Sequence, residues 1–487
     1  DYVGTVSFSS SDPSAALPVD YTFTLADAGQ RSFTATFFKA GPDNFLRVTD
    51  ILTPTLTGEQ TGIEVLPADP ARINVVSGSP QATQVAITFA EPLVVQVTDA
   101  YSNTISGVSV TFSSPETGAG AVFTGTNPAL TDLTGQASLV AGANTVAGSY
   151  QVTATIASPG VMPASFMLTN LPGPVVELRV YGFPSPVLAG TLHSFTVEAV
   201  DRYGNVNPAY RGATYSLSSD PQAILPADYL FNVQDAGRHI FYAIFRTAGT
   251  HYITIVDNFG FRGTQSGIVV EPLEPAYLRL DIYTSQSPQS TPVTQDFPKP
   301  LAVVLTDIYG NPRGGYFITF TVPISGASAI LTGANPQLIG SDGRASLIAT
   351  ANTIAGSYTV TATTDAPGVA PYKFILTNLP GPASTLTYIS GSMQETPLGK
   401  PFGAPLVVEV ADAYGNLVPN VWVSYSAPAS GPSCILDNGG MALTGADGRA
   451  SLSATANMNA GSYVVEARVV GVADPVQFYL INKMLLY

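Results

Sequence analysis

Asp99, Asp201, Asp307 and Asp412 each stand in a short stretch that combines a carboxylate, a ring hydroxyl and an amide side chain. The stretches read VTDAYSN ending at Asn103, VDRYGN ending at Asn205, LTDIYGN ending at Asn311 and VADAYGN ending at Asn416. Two chemistries suit such a set. Carboxylate and carbonyl oxygens are hard donors of the kind calcium takes, six to eight at a time and usually from several acids. Each motif offers a single carboxylate, so neighbours would have to help: Glu64 and Asp69 for Asp99, Glu271 and Glu274 for Asp307. The proline-rich stretches before Asp201 and Asp412 carry no acid. The other chemistry is a turn. An Asp side chain bonds backbone N–H groups two residues on, and Gly204, Gly310 or Gly415, or the Asn that follows, supplies positive φ at little cost. The turn is the expectation, with Asp as clamp, Gly-Asn as bend and the Tyr ring packed over it. Calcium, confined to two of the four copies, is the rival.

Few other residues promise chemistry. His193, His239 and His251 match a zinc-ligand count, but His239 takes the place of Arg31 in a sister repeat, and the other two lack ligand spacing. They are expected at solvent edges. No Ser/His/Asp arrangement recurs, no GxSxG occurs and no Gly-rich loop opens a helix, so neither an enzyme nor a cofactor is expected. Cys434 is the only cysteine and excludes a disulfide within the chain. It occupies the position of Ala121 and Ala329 in sister repeats and is expected to be a buried, inert thiol. Trp422 is the only tryptophan. A packed ring is the commoner arrangement, whereas an exposed one would suit a sugar. The lysines are Lys39, Lys299, Lys373, Lys400 and Lys483, and residues 69–172 and 173–273 have none. A Lys–Asn isopeptide lock therefore cannot be general.

What must position these residues is a set of repeats. The motif aspartates are spaced by 102, 106 and 105 residues. AGSY recurs with Gly148, Gly356 and Gly461, and LTGQASL, SDGRASL and ADGRASL begin at Leu133, Ser341 and Ala446. Two kinds of unit emerge. The first carries SSDP…LP.DY.F…DAG and covers 1–68 and 173–273. The second carries GSY and the GRASL-like stretch and covers 69–172, 274–381 and 382–487. Proline clusters mark the boundaries: Leu66–Ala71, Leu171–Pro174, Glu271–Ala276 and Leu379–Pro382. Proline fixes φ, so these short linkers are expected to hinge little.

Within a unit the apolar period is two. Tyr358, Val360 and Ala362 alternate with Thr359 and Thr361, and Phe195, Val197 and Ala199 with Thr196 and Glu198. This is the pattern of half-buried antiparallel strand. Leu301, Val303 and Leu305 share a face with Asp307, and Leu406, Val408 and Val410 with Asp412, so the carboxylates aim inward and must find donors. Asp342-Gly343 and Asp447-Gly448 suggest hairpins. The chain has 45 glycines and 39 prolines, about 17% of its 487 residues, which suits short strands and turns. Units of about 100 residues with seven or so strands predict an all-β chain, a tandem array of immunoglobulin-like β-sandwiches. Hydrophobic residues make up 45% and charged residues only 11%. The net charge of −15 argues against nucleic acid, and no apolar run approaches a membrane span of about 18 residues.

The units at 69–172, 274–381 and 382–487 resemble bacterial immunoglobulin-like domains of the invasin and intimin type, through VVQVTDAYSN, AVVLTDIYGN and VVEVADAYGN, then DGRASL and AGSY. The SSDP units are similar to immunoglobulin-like or filamin-like repeats of large bacterial surface proteins. The resemblance implies a non-enzymatic extracellular stalk or fibre segment at the cell surface. In invasin-type proteins the host-binding element is a separate C-terminal lectin-like domain, which these repeats do not match. The implied partners are further repeats or copies of the chain, and the alternative is a module binding glycan or a host protein through its loops. Nearly five units end to end would span very roughly 150–190 Å, given about 33 Å for a ten-residue strand. Under the 208-residue offset Asp1 aligns with Ala209. The first unit therefore lacks the strands that residues 174–208 supply in its sister. Phe23, Phe33 and Phe37 are expected to lie uncovered unless upstream repeats or another chain complete the unit.

Overall fold

A computed structural model describes residues 1–484. Strands account for almost all of the regular structure, and among the described residues the only helical pieces are 3-10 turns at Leu25–Asp27 and Asp437–Gly440. Among the described residues no helix is long and apolar enough to cross a membrane.

The fourth unit shows the plan. One sheet orders Tyr277–Leu280, Leu301–Thr306, Arg344–Ala351 and Ala329–Thr332, and the other orders Gln289–Pro292, Tyr372–Leu379, Gly356–Thr364, Phe317–Thr321 and Gln337–Leu338. All pairings are antiparallel except Gln289–Pro292, which runs parallel to Tyr372–Leu379. The first segment of the unit thus starts at the edge of one sheet and crosses to the edge of the other. Residues 69–172 repeat this order strand for strand. The units at 173–273 and 382–487 keep the five-stranded sheet, opposite three-stranded sheets. The complete units carry eight to ten short strands each, more than the seven of the simplest sandwich.

Alternation builds the core. Leu301, Val303, Leu305, Val360, Phe374 and Leu376 interleave from the two sheets with no exposed surface. Each such side chain contributes roughly 1.5–3 kcal/mol by leaving water. The segment around Phe195 departs from the half-buried expectation. Thr196 and Glu198 are buried as well, because Arg179, Tyr181 and Arg238 close over Glu198. The Asp-Gly pairs also differ from expectation. Gly343 and Gly448 do sit in turns at φ 66° and 65°. However, the strands they join, Gln337–Leu338 and Arg344–Ala351 in one unit, Met441–Leu443 and Arg449–Leu452 in the other, lie in opposite sheets. The turn passes the chain over the edge of the sandwich instead of folding a hairpin.

No sheet crosses the proline linkers, which occupy the gaps between Val65 and Arg72, Leu171 and Glu177, Glu271 and Tyr277, and Leu379 and Thr385. The first unit is a single sheet ordered Tyr21–Thr22, Thr5–Ser10, Gly41–Asp50 and Thr57–Val65. In its sister, Leu192–Val200 pairs with Arg238–Ile244 to make the second layer. Residues 30–36 of the first unit form only an isolated bridge, Ala16 to Thr36. The sister buries Phe231, Phe241 and Phe245 to 1%, 5% and 1% exposure, while the equivalent Phe33 is 37% exposed and Phe23 and Phe37 are partly exposed.

Candidate functional site

The four aspartates lie at strand ends, on the core-facing side, and all are buried. Each accepts the same four bonds. In the copy at Asp412, Oδ1 accepts the backbone N–H groups of Tyr414 and Asn416, both at 2.9 Å. Oδ2 accepts the Asn416 side-chain amide at 2.8 Å and the Gly381 N–H of the linker at 2.8 Å. Asp99, Asp201 and Asp307 repeat the pattern, with the linker donors Ala68, Gly173 and Leu273. The carboxylate therefore closes its own turn and also ties down the linker that enters the unit. Gly204, Gly310 and Gly415 take the bend at φ 86°, 88° and 84°, and Ser102 takes it at 71°.

The asparagine does something else: its side chain reaches into the preceding unit. Asn416 Oδ1 accepts the N–H of Ala355 at 2.8 Å, and Nδ2 donates to the carbonyl of Thr353 at 2.9 Å. Asn103 pairs in the same way with Ala40 and Phe38, Asn205 with Ala147 and Thr145, and Asn311 with Ala248 and Arg246. The amide thus imitates one residue of a β-ladder. Every joint between units is closed by the same plug and the same loop. Two such bonds contribute a net of about 1–3 kcal/mol. That favours the docked arrangement by roughly ten- to a hundredfold without welding it.

Two of the four tyrosine rings, Tyr101 and Tyr309, also reach across, where a ring over its own turn was expected. Tyr101 packs on Phe38 at 4.7 Å between centroids. Tyr309 lies under the Arg246 guanidinium at 5.3 Å and fills the space beside Gly190, where a Cβ would come within 2.2 Å of its hydroxyl.

The receiving loops are themselves held. In units of the first kind the SSDP aspartate does this: Asp220 Oδ2 accepts the N–H groups of Arg246 and Thr247 at 2.6 and 3.0 Å, and Asp12 those of Phe38 and Lys39 at 2.6 and 2.8 Å. In the second kind an asparagine from the last strand takes over. Asn378 Nδ2 donates to Ser328 O, Asn352 Oδ1 and Ile354 O, and Asn170 repeats the pattern. Burial by itself would raise the carboxyls at the joints. The Asn side chain and the backbone N–H donors outweigh it and hold Asp99, Asp201 and Asp412 below the ordinary carboxylate range. Asp12 and Asp220 are lowered too, against burial, by the loop N–H groups and, for Asp220, by Thr247.

The calcium candidates do not converge. A carboxylate offers about four lone-pair sites, and N–H donors occupy four at each motif Asp. Glu64, Asp69 and Glu271 are exposed, and Glu274 accepts from the Tyr316 hydroxyl at 2.7 Å. Among the described residues no three His, Cys, Asp or Glu side chains gather as a metal ion would require. The histidines also have other partners. His239 bonds Asp235 at 2.7 Å and stacks on Tyr229, as Arg31 pairs with Asp27 over Tyr21. His193 meets the Thr191 hydroxyl and His251 the Thr247 carbonyl. Cys434 is only partly buried, and burial pushes its thiol up. Trp422 overturns the packed expectation: it is 57% exposed, because Val423 and Tyr425 take the inward positions of its strand.

Sequence reasoning missed the receiving loop. Its signal was the dipeptide Ala-Gly, at Ala40-Gly41, Ala147-Gly148, Ala248-Gly249, Ala355-Gly356 and Ala460-Gly461. It recurs in both kinds of unit although the residues around it differ.

Tandem immunoglobulin-like units joined in this way make an all-β repeat protein. No protein-family model matches the chain. It is similar to the inverse autotransporter adhesin YeeJ of Escherichia coli strain K12, 23% identical over 466 residues, which are 93% of this chain and 19% of that protein. The chain thus spans about a fifth of the curated relative it matches. Among solved structures it is similar to the Escherichia coli adhesin FdeC, at TM-score 0.36 and 16% identity over 64% of this chain and 99% of that one. It is also similar to invasin, described as a bacterial integrin-binding protein, at TM-score 0.32 and 14% identity over 84% of this chain and 78% of that one.

Proposed function

We propose that the chain is a load-bearing stalk segment of a bacterial cell-surface adhesin, non-enzymatic and extracellular. The observation that carries this reading is the fourfold repetition of the Asn plug and its loop. A binding surface has no need of four identical joints, whereas a rod needs one at every boundary. Each unit resists extension through its ladder bonds, and each joint limits bending. The partners in this reading are further units of the same kind. Because N–H donors fill the aspartate lone pairs, the joints need no calcium. Small-angle scattering with and without chelator tests this. The maximum dimension should be unchanged, and a large loss of length in chelator would overturn the calcium-free joint.

A second reading rests on Trp422. It shares the outer face of its sheet with Met441 and Leu443, themselves 38% and 44% exposed. An exposed aromatic with apolar neighbours suits a sugar or a protein ligand. On a glycan array or host-cell surface, Trp422→Ala should change nothing if the unit is purely a spacer. Loss of a signal shown by the unaltered chain would favour the binding reading.

A further inference from the structure

There are five Ala-Gly loops and four plugs. The fifth loop, 457–461, lies in the last unit, and its shape is already set. Asn457 Nδ2 donates to Gly431 O at 2.8 Å, as Asn352 does to Gly326 O at 2.8 Å. Asn457 Oδ1 accepts the Asn459 N–H at 3.0 Å, as Asn352 Oδ1 accepts that of Ile354 at 3.1 Å. Asn482 Nδ2 donates to Asn459 O at 3.1 Å, as Asn378 does to Ile354 O at 3.1 Å. Gly461 has φ 139°, beside 146° at Gly356.

The loop thus holds its receiving geometry with nothing docked on it. Its carbonyl at Met458 and N–H at Ala460 correspond to Thr353 and Ala355, which Asn416 pairs. Among the described residues, Met458 O and Ala460 N–H have no hydrogen-bond partner, and Met458 is 75% exposed.

We propose that the loop 457–461 is a preformed receptor for the Asp-x-Tyr-Gly-Asn turn of a further immunoglobulin-like unit. The Asn amide would donate to Met458 O and accept from Ala460 N–H. A second copy of this chain does not fit the role, because its four such turns are already engaged in its own joints. The ligand is a unit that presents a free turn. The proposal rests on the joint reading above, but it concerns this one loop.

The test replaces residues 484–487 of the full chain with a second copy of residues 380–483, which sets the linker in the register it has at Leu379. The readout is hydrogen exchange at the Ala460 amide. It should slow about tenfold or more, and the same addition bearing Asn416→Ala in the added copy should restore fast exchange. Slow exchange of the ladder amides in the added Leu406–Ala411 strand verifies that the copy is folded. If it is not, residues 172–273, which carry the Asp201–Asn205 turn, take its place. Unchanged exchange at Ala460 beside a folded added unit overturns the proposal. The stalk reading would survive that result, since Ala355 and Asn416 report on the existing joint separately.

Discussion

At the scale of single residues, the repeated motif combines two tasks that look like one in the sequence. The carboxylate organises the turn, and the amide four residues on holds the neighbouring unit. Parity along Leu301–Asp307 and Leu406–Asp412 showed that the aspartates point inward, and from that the need for N–H donors followed. Nothing in the motif showed that the Asn faces outward to another unit, because its partners are backbone groups, which carry no side-chain signature. The packed expectation for Trp422 failed because the same parity rule was not applied to its strand, where Val423 and Tyr425 claim the core side. The aspartates also give the joints a pH dependence. Asp99, Asp201 and Asp412 titrate below the ordinary range when folded. Their contribution is therefore complete above the unfolded value of about 3.9 and is lost as pH falls through the lower folded values. Exchange at Ala147 and Ala355, which report the Asn205 and Asn416 bonds, should stay slow from pH 7 to about 5, after correction for the intrinsic rate. Protection should collapse only below about pH 4. Loss of protection already near pH 6 would show that the carboxylates do not govern the joint.

At the scale of strands and sheets, the alternating segments were legible because a half-buried strand writes its two faces into the sequence. Glu198 was not, because its cover comes from Arg179 and Arg238 on neighbouring strands. Nor was the path of the Asp-Gly turns, since a turn dipeptide records the bend and not the sheet into which the chain returns. The first unit shows how far a strand depends on its partner. Residues 30–36 match the sister strand Arg238–Ile244 in pattern, yet they form only the isolated bridge from Ala16 to Thr36, whereas Arg238–Ile244 pairs with Leu192–Val200. The open face, with Phe33 exposed, should accept such a partner. A synthetic peptide with the sequence Leu192–Val200 should bind the full chain and slow exchange at Phe33 and Thr34. A peptide of the same composition with its alternation scrambled should not. Equal effects of the two peptides, or none from either, would contradict pairing of an alternating strand against the face that carries Phe33.

At the scale of the whole molecule, the proposed units and linkers rest on internal repetition, which is visible in one sequence. The Asn plug at each boundary was not visible there, because its partners lie in the neighbouring unit. Proline linkers limit the paths available, the Asp bond to the linker fixes the entry, and the Asn pair adds about 1–3 kcal/mol at each boundary. Removing that pair should leave every sandwich folded while releasing the joints. The most direct test is small-angle scattering of the full chain beside the variant carrying Asn103→Ala, Asn205→Ala, Asn311→Ala and Asn416→Ala. The unaltered chain should scatter as a stiff rod. The variant, with its far-ultraviolet strand signal intact, should show a broader distance distribution, a shorter mean length and the signature of flexibly linked beads. Superimposable curves from the two proteins would contradict the claim that the asparagines hold the units in line.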